Sequence, residues 1–515
     1  MDDVDAVVIG SGPNGLVAAA LLARAGWRVT VLERAAVAGG AVHSGELTAP
    51  GYVHDTYSAF YGLLHSSPVL HELGLERAVE WAQFSVPVGA AVSPDEVAVC
   101  HAEVDRTADG LARRVPADGD AWHALYRWWQ EVGVFFLRQM LGPVGAPGPG
   151  LAFARRARRH GLFDSARLMV QPMEALALER FTHPTAQALV AAGASHADVA
   201  VDSPGSVPAA LILAMAAQEV GMPVPVGGAG RLAAALVGAV EHAGGVVRCG
   251  AEVRRVVVER NRATGVETSD GGRVRARRAV LADTGPGALF GALVGTDALP
   301  ARYLDGVRRF RYGTGVFKVD LALDGPVPWS APELAACGVV HLTGDLDDMA
   351  RAAYEARRGT VPGRPMLIVG QQSVADPSRA PAGGHTLWVE THVPPVPRPS
   401  GSWATERDAF LEVVLARLEA HAPGLRQRVV GSAVRTPDDL EHENPNLVGG
   451  DLGTGSSALH QQLVLRPVPG WFRYATPVKG LYLCSASAHP GGGVHGMVGR
   501  NCARRVLSDR RRRRI

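Results

Sequence analysis

Three glycines and one glutamate near the start of the chain have the spacing of a dinucleotide-binding fingerprint. The run from Gly10 to Gly15 fits the G-x-G-x-x-G pattern, and Glu33 follows the second strand of the same unit. The first glycine permits a tight turn, the second lets a pyrophosphate approach the backbone, and the third allows close packing of helix on strand. The N-terminus of the following helix offers N–H groups to phosphate. We therefore expect dinucleotide binding here, with Glu33 accepting hydrogen bonds from ribose hydroxyls. The predicted loop residues are Gly10, Ser11, Gly12, Pro13, Asn14 and Gly15.

The elements that must position this loop are predicted on both sides of it. Residues 5–9 form a short continuous apolar run, which is typical of a buried parallel strand. Residues 16–25 favour a helix that ends at Gly26. Residues 27–32 are predicted as a second strand, which places Glu33 at its carboxyl end. Because a strand precedes the glycine motif and a helix and a second strand follow it, the motif specifically predicts dinucleotide binding.

The residues after Glu33 bear on which dinucleotide is bound. The run that contains Arg34, Gly39 and Gly40 has the form E-R-x-x-x-x-G-G. It resembles the extension found in FAD enzymes of the glutathione-reductase and amine-oxidase type. The resemblance implies non-covalent FAD, with Arg34 near the adenosine and the glycine pair passing the pyrophosphate and flavin.

A second glycine-rich segment follows a predicted strand close to the end of the chain. Residues 480–484 are predicted as the strand, and residues 485–501 contain a run of glycines before a helix. Residues 437–451, Gln461 and Arg466 complete the pattern. Together these segments resemble the phytoene-desaturase-like FAD oxidoreductases, in particular the branch named after pyridine-nucleotide-disulfide oxidoreductases. The resemblance covers nearly the whole chain.

This resemblance implies roles for several further residues. Gly492, Gly493 and Val494 would place backbone N–H groups near the flavin, where negative charge develops on reduction. Val253 would hold the adenine through its backbone. Position 485 is usually glycine in the family, and here it is Ser485.

The implied fold class is α/β, with a Rossmann-type FAD-binding domain of the glutathione-reductase or amine-oxidase kind interleaved with an α+β substrate domain. We expect the FAD domain to comprise residues 1–85, 220–300 and 440–515, and the substrate domain residues 86–219 and 301–439. Residues 86–219 are expected to be mostly helical, because large apolar residues recur there at helical spacing. Their aromatic side chains either form core or line an apolar substrate cavity.

A second fingerprint is a weaker alternative. Residues 228–233 match G-x-G-x-x-A, and Glu252 follows about 20 residues later. The preceding residues 222–226 contain two prolines, which disfavour a central strand. A second dinucleotide site is therefore not our main prediction.

Composition excludes several classes of protein. The 515 residues carry a formal charge of +2, and five arginines are clustered at 510–514, so the folded body lacks the basic excess of a nucleic-acid-binding protein. The five cysteines form no C-x-x-C pair, which disfavours a zinc site or redox dithiol and fits a reducing cytoplasm. No secretory signal is predicted, and the most apolar stretch is too short to span a bilayer. The arginines at 155–159 allow peripheral membrane contact.

The leading prediction is an FAD-dependent dehydrogenase or desaturase that moves hydride from a C–H bond of a mostly apolar small molecule to flavin N5. Oxygen, a quinone or another acceptor would reoxidise the flavin. The candidate catalytic side chains are His489, Tyr57 and Gln461. The alternatives are an amine or amino-acid oxidase, a redox-neutral flavin-dependent isomerase, and a flavin-bound interaction or membrane-adaptor protein. Substrate and oligomeric state are not predicted.

Overall fold

The computed structural model of the chain describes residues 2–145 and 147–512. The last two arginines of the predicted basic cluster at 510–514 lie outside the described residues. Among the described residues, no helix is both long and apolar enough to cross a membrane.

Two large mixed sheets and two short two-stranded sheets contain the strands. In chain order the strands are β1 (Asp2–Ile9), β2 (Val29–Leu32), β3 (Ser44–Glu46), β4 (Val53–Asp55), β5 (Trp81–Ala82), β6 (Val86–Ala91), β7 (Val97–Cys100), β8 (Val224–Pro225), β9 (Val246–Arg248), β10 (Val253–Glu259), β11 (Arg262–Thr268), β12 (Arg273–Ala282), β13 (Gly315–Leu323), β14 (Cys337–Leu342), β15 (Leu367–Gly370), β16 (His385–Val393), β17 (Val429–Arg435) and β18 (Leu481–Leu483).

Helices cover both sheets and form a separate block between β7 and β8. In chain order they are α1 (Pro13–Arg24), α2 (Gly62–His65), α3 (Val69–Leu73), α4 (Leu75–Ala78), α5 (Val104–Ala112), α6 (Pro116–Trp128), α7 (Val134–Leu141), α8 (Pro147–Arg159), α9 (Leu162–Val170), α10 (Met173–Arg180), α11 (Pro184–His196), α12 (Ser206–Val220), α13 (Ala229–His242), α14 (Ala301–Arg308), α15 (Leu346–Arg358), α16 (Gln372–Ala375), α17 (Trp403–His421), α18 (Leu425–Arg428), α19 (Pro437–Glu443) and α20 (Met497–Arg512).

The first sheet has the strand order β10-β11-β12-β1-β2-β9, and β18 pairs with β12. The pairs β1–β12, β1–β2, β2–β9 and β12–β18 are parallel. Every residue of β2 is buried, as is typical of a central parallel strand, and α1 packs on this part of the sheet. The predicted Rossmann-type α/β fold is confirmed, and so is the strand–loop–helix–strand unit at the N-terminus.

The second sheet has the order β17-β13-β16-β15-β14-β6-β7 and is antiparallel except for the β14–β6 pair. Its strands alternate between two faces. One face packs against α17 in an apolar core that includes Phe317, Val389 and Trp403. The opposite face is directed towards the segment around β4, which packs on β16.

Two strands of the second sheet lie in a segment expected to be mostly helical. β6 and β7 lie at the start of that region, and the helical block begins only at α5. Short apolar runs do not distinguish a strand from a buried helix, which explains this difference. β17 forms one edge of the sheet, and its residues are half-buried or exposed.

Candidate functional site

The candidate site lies at the carboxyl edge of the first sheet. Gly10 follows β1, Glu33 follows β2, Asp283 follows β12, and Ser485 stands two residues after β18. These four strands are parallel, so the residues after them meet at one edge. Ligands of open α/β sheets bind at this edge.

The glycine loop depends on the absence of side chains. Gly10 has φ of +88°, a left-handed conformation that favours glycine. A Cβ on Gly12 would lie 2.5 Å from Oδ2 of Asp283, and one on Gly15 would lie 2.6 Å from the carbonyl oxygen of Gly10. Pro13 is the first residue of α1, and the N-cap Gly12 provides no capping side chain. The loop therefore brings bare backbone to the N-terminus of the helix, where the dipole favours an anion.

Glu33 is joined both to the loop and to the neighbouring strand. Its Oε2 accepts hydrogen bonds from the amide of Ser11 at 2.8 Å and from the Ser11 hydroxyl at 2.7 Å. The carbonyl oxygen of Glu33 accepts a hydrogen bond from the Ala251 amide at 2.7 Å. Val253 begins β10 two residues further on, so the structure places it close to Glu33. Arg34 is exposed and donates to the Glu443 carbonyl oxygen at 3.4 Å.

The glycine pair after Glu33 packs on the nucleotide loop. The amide of Gly39 donates to the Ser11 carbonyl oxygen at 3.1 Å. A Cβ on Gly40 would lie 3.0 Å from the Cα of Gly12. This close approach explains why the sequence has glycine at both 39 and 40.

Asp283 is a site residue that the sequence motifs did not reveal. Its Oδ2 accepts a hydrogen bond from the Gly15 amide at 2.8 Å. Burial raises the pKa of Asp283 to about 7, while the hydrogen bond from Gly15 opposes this shift. A carboxyl with this pKa can become neutral beside the helix N-terminus and so reduce its repulsion of a phosphate.

The C-terminal glycine segment meets a second loop. Gly492 and Gly493 are exposed. A Cβ on Gly492 would lie 2.9 Å from the Cα of Gly453, and Val494 follows in a half-buried position. Among the described residues, the buried hydroxyl of Ser485 has no hydrogen-bond partner.

Two buried ionisable side chains hold the loop at 451–456. Asp451 accepts hydrogen bonds from the amides of Gly313, Gly453 and Gly455, each at 2.7 Å. The guanidinium of Arg466 donates to the carbonyl oxygens of Ser456 and Ala486 at 3.0 and 2.9 Å. Burial lowers the pKa of Arg466 to about 10. These contacts fix the loop against the C-terminal glycine segment.

A polar face of the second sheet packs against β4 and the segment that follows it. Lys318, Glu390 and His341 lie on one cross-strand row, in which Ile368 separates Glu390 from His341. On the same strand as Glu390, the indole N–H of Trp388 donates to the Tyr57 carbonyl oxygen at 3.2 Å. The face is thus held against the segment that connects β4 to α2.

Glu390 is the most unusual residue on this face. It is 7 % exposed, and its Oε1 has no hydrogen-bond partner among the described residues. Burial raises the pKa of Glu390 to about 8, although the charge of Lys318 opposes this shift. Lys318 itself pairs with Asp320 at 2.5 Å. Unpartnered buried polar groups are rare in proteins, so such a carboxyl is a candidate for a functional role.

A second polar cluster lies near the end of α11. The two oxygens of Asp198 accept hydrogen bonds from the amide and hydroxyl of Thr314, at 2.9 and 2.5 Å. The Thr314 hydroxyl oxygen also lies 3.1 Å from Nδ1 of His392, whose Nε2 has no partner among the described residues. His196 contacts His341 at 3.0 Å, and burial lowers the pKa of His196 to about 4, so both rings are neutral at pH 7.

A small apolar cavity adjoins this histidine pair. It has a volume of about 20 Å³, room for one water molecule. Helices α11 and α12 form much of its wall. Its lining includes Trp122, Leu189, Leu213, Ala217, His196 and His341. Trp122 of the helical block is buried in the core and also lines this cavity, and the predicted contact of the aromatic residues with a substrate stays a prediction.

Comparison with known proteins identifies the family. Residues 8–73 match the NAD(P)-binding Rossmann-like domain. The chain is 30% identical over 560 residues to the mouse (Mus musculus) pyridine nucleotide-disulfide oxidoreductase domain-containing protein 2, covering 98% of this chain and 94% of that protein. This chain belongs to the family of that protein. The predicted membership is therefore confirmed.

Two further proteins are similar to this chain, one in sequence and one in fold. The chain is 26% identical over 520 residues to the neurosporene-forming phytoene desaturase of Cereibacter sphaeroides, covering 96% of this chain and 92% of that protein. The fold is similar to that of an oxidoreductase from Methanosarcina mazei, with a TM-score of 0.62 and 18% identity over 98% of this chain and 99% of that one. This chain is an oxidoreductase.

The three side chains predicted to act in catalysis all form hydrogen bonds within the protein. His489 is buried, and its Nε2 donates to the Gly142 carbonyl oxygen at 2.9 Å. The Tyr57 hydroxyl donates to Glu443 at 3.0 Å. The side-chain amide of Gln461 both accepts from and donates to the backbone of Arg311, at 2.7 and 2.8 Å. Their catalytic roles stay predictions, and each side chain already has a structural partner.

The weaker second fingerprint lies at the start of α13. There the amide of Gly227 donates to Asp376 at 2.8 Å, and that of Ala229 donates to Asp55 at 2.7 Å. The Gly230 amide donates to the Ser44 hydroxyl at 3.1 Å. The side chains of Asp376, Asp55 and Ser44 therefore accept hydrogen bonds from three amides of this segment.

Proposed function

We propose that the chain binds FAD along the carboxyl edge of the first sheet. The fit rests on three kinds of observation from this chain. Bare glycine backbone stands at the N-terminus of α1, and a buried carboxylate, Glu33, lies at the end of β2. The buried hydroxyls of Thr284, Thr454 and Ser485 have no partner among the described residues. Phosphate, ribose hydroxyls and a polar flavin edge are the groups that would satisfy these atoms.

The residues divide between the two ends of such a cofactor. Glu33 and the adjacent backbone at Val253 would hold the adenosine, and the loop at 10–15 would hold the pyrophosphate. The segment at 492–494 and the loop at 451–456 would hold the flavin. Ser485 supplies a hydroxyl between the two ends, where glycine is the usual residue, so we propose that it donates a hydrogen bond to the cofactor.

We further propose that the protein dehydrogenates a mostly apolar small molecule, with FAD supplying the hydride acceptor when bound. The observation that carries this proposal is Glu390, a buried carboxyl on the polar face of the second sheet whose Oε1 has no hydrogen-bond partner among the described residues. His341, on the same cross-strand row as Glu390, lines the apolar cavity whose wall is formed largely by α11 and α12. Membership in a family with a phytoene desaturase supports a lipophilic substrate.

Glu390 is the residue that we propose to move the proton. Removing hydride from one carbon leaves a proton to be lost from its neighbour, and a carboxylate within a buried face can accept it. Its raised pKa lies near neutral pH, where a general base is most effective. Lys318 then holds the charged form of Glu390 by attraction, and Asp320 opposes that effect.

Anaerobic mixing of the purified holoprotein with candidate substrates tests this function. The set should contain lipophilic alkenes such as limonene and phytoene, and primary amines as the other arm. Bleaching of the flavin absorbance by an alkene, with a more unsaturated product, is the expected result. Bleaching by amines alone, with peroxide release in air, would show an amine oxidase, and double-bond isomerisation without net bleaching would show an isomerase.

A further inference from the structure

Exposed apolar side chains are concentrated in one part of the described structure. Ten of its fifteen exposed large apolar side chains lie in two segments, residues 151–178 and residues 459–471. Phe163 is the extreme case, with 87 % of its side-chain surface exposed. The other nine are Leu151, Leu162, Val170, Leu178, Leu459, Leu463, Val464, Leu465 and Trp471.

The two segments meet at Gly205. Its amide donates to the Val170 carbonyl oxygen at 2.9 Å. A Cβ built on Gly205 would lie 3.5 Å from the side chain of Leu459 and 3.7 Å from the carbonyl oxygen of Met169. The end of α9 and the start of the 459–465 segment are therefore neighbours on one surface. Contiguous exposed apolar surface of this kind marks an interaction site.

Arginines lie among these apolar side chains. Arg155, Arg156, Arg158 and Arg159 on α8 are all exposed. Among the described residues, no carboxylate lies within 4 Å of any of them, whereas Arg167 on α9 pairs with Glu179. The guanidinium of Arg156 stacks 4.8 Å from the ring of Phe135. Four cations on α8 thus remain available to an external anion.

The arginines and apolar residues share helix faces. On α8, Leu151, Arg155 and Arg158 are spaced by four and three residues, which places them on one face. On α9, Phe163, Arg167 and Val170 have the same spacing. The opposite face of α8 packs inwards through Ala157, which is fully buried. This mixture of cationic and apolar side chains is the pattern of an interfacial helix.

We propose that this surface, formed by the outer faces of α8 and α9 with residues 459–465, binds the surface of a membrane that contains anionic phospholipid. The charge of this surface favours a membrane over other binding partners. Unpaired arginines complement acidic headgroups, and the bulky apolar side chains among them complement the acyl chains below. A second copy of this chain would bring the same cations face to face across a symmetric interface.

This surface lies close to the apolar cavity, and membrane binding there would be separate from cofactor binding. Helix α9 packs against α12 on its inner side. Leu213 and Ala217 of α12 line the apolar cavity described above. A membrane docked on the outer side of α9 would therefore lie one helix away from the cavity.

Vesicle cosedimentation of the full chain tests the proposal. The probes are phosphatidylcholine vesicles with and without phosphatidylglycerol. The first variant combines Arg155→Gln, Arg158→Gln and Arg159→Gln, and the second is Phe163→Ser. The matched control combines Arg351→Gln, Arg357→Gln and Arg358→Gln, which are exposed arginines on α15. A last variant replaces the five arginines at 510–514 by glutamine.

We expect the wild type to bind only the vesicles with phosphatidylglycerol, more weakly at high salt. The triple variant on α8 should bind roughly 100-fold more weakly, since each arginine near an anionic surface contributes about fivefold. Phe163→Ser should reduce binding about tenfold. The α15 control should bind like the wild type, and all variants should keep the wild-type melting temperature.

Three results would overturn the proposal. One is wild-type binding that is absent or equal for both kinds of vesicle. Another is loss of binding only when residues 510–514 are changed, which would assign the interaction to the end of the chain. The third is a dimer in light scattering that Phe163→Ser dissociates while vesicle binding is absent, which would make this surface an interface between copies.

Discussion

The carboxylate of Glu33 makes a double contact with Ser11 across the nucleotide loop. Oε2 of Glu33 accepts from the Ser11 amide at 2.8 Å and from the Ser11 hydroxyl at 2.7 Å. The end of β2 is thereby joined to the loop after β1, and Glu33 stays buried at 9 % exposure. The same oxygen is the group proposed to receive the ribose hydroxyls, so this contact connects loop shape with cofactor affinity.

Glu33→Gln should weaken FAD binding roughly 10- to 100-fold, because a hydrogen bond to a charged acceptor is replaced by one to a neutral acceptor. Titration of the apoprotein with FAD, followed by flavin fluorescence, measures the dissociation constant. Glu259→Gln makes the same chemical change at an exposed position on β10 and serves as the control. Equal affinities of Glu33→Gln and wild type would remove Glu33 from the site.

Gly492→Ala should separate the two glycine loops. The added Cβ would lie 2.9 Å from the Cα of Gly453, which is backbone and cannot rotate away. We expect FAD affinity to fall roughly 5- to 100-fold, in line with the cost of overpacking. Gly363→Ala is the control, because a Cβ there meets nothing within 4 Å. If the Gly492→Ala variant retained wild-type FAD content, the loops would not form a tight cradle.

Asp283 should make the stability of the apoprotein depend on pH. Its pKa is raised from 3.8 to about 7 by burial. The folded protein then binds more protons than the unfolded chain between these pH values, so the free energy of unfolding falls as pH rises through this window. The loss is about 4 kcal/mol at most.

Asp283→Asn should abolish this part of the pH dependence. Denaturant unfolding at pH 5 and pH 8 should show a smaller fall in stability for the variant than for the wild type. Asp297→Asn, which changes an exposed carboxylate, should behave like the wild type. Parallel curves for wild type and Asp283→Asn would mean that Asp283 is ionised throughout the range.

Glu390→Gln should slow substrate-dependent flavin reduction by roughly 100-fold or more, because a positioned proton acceptor contributes about 10²- to 10⁴-fold. FAD content should not change, since Glu390 lies on the second sheet and not at the nucleotide loop. The wild-type rate should rise with pH to a plateau above about 8, as the carboxyl loses its proton. Glu390→Asp should keep part of the rate.

The control for that experiment is Glu241→Gln, an exposed glutamate on α13. A wild-type rate and pH profile in Glu390→Gln would contradict the proposed proton transfer while leaving the dehydrogenase assignment intact. Loss of bound FAD in Glu390→Gln would instead indicate a structural role.

The sequence predicted the nucleotide half of the molecule well because its signals are local. The loop at 10–15 and Glu33 belong to one strand–helix–strand unit, so spacing alone brought them together. The C-terminal strand and glycine segment were predicted in the same way. Ser485 was recognised only because its position departs from the family pattern.

Other site residues could not be predicted, because long-range pairing positions them. Asp283 reaches Gly15 from 268 residues away in the chain, and Asp198 reaches Thr314 from 116. Glu390 lies in a strand with no motif, and its environment is made by Lys318 and Asp320 on a neighbouring strand. Strand pairing, which short sequence windows do not encode, decides which of many carboxylates becomes buried.

Release of flavin from the purified protein tests the proposed FAD site most directly. We expect a yellow protein with flavin absorbance bands and, after denaturation, close to one equivalent of free FAD per chain, identified by chromatography. A colourless protein that neither releases FAD nor takes it up from solution would contradict the central claim. Release of NAD instead would assign the same edge to a different dinucleotide.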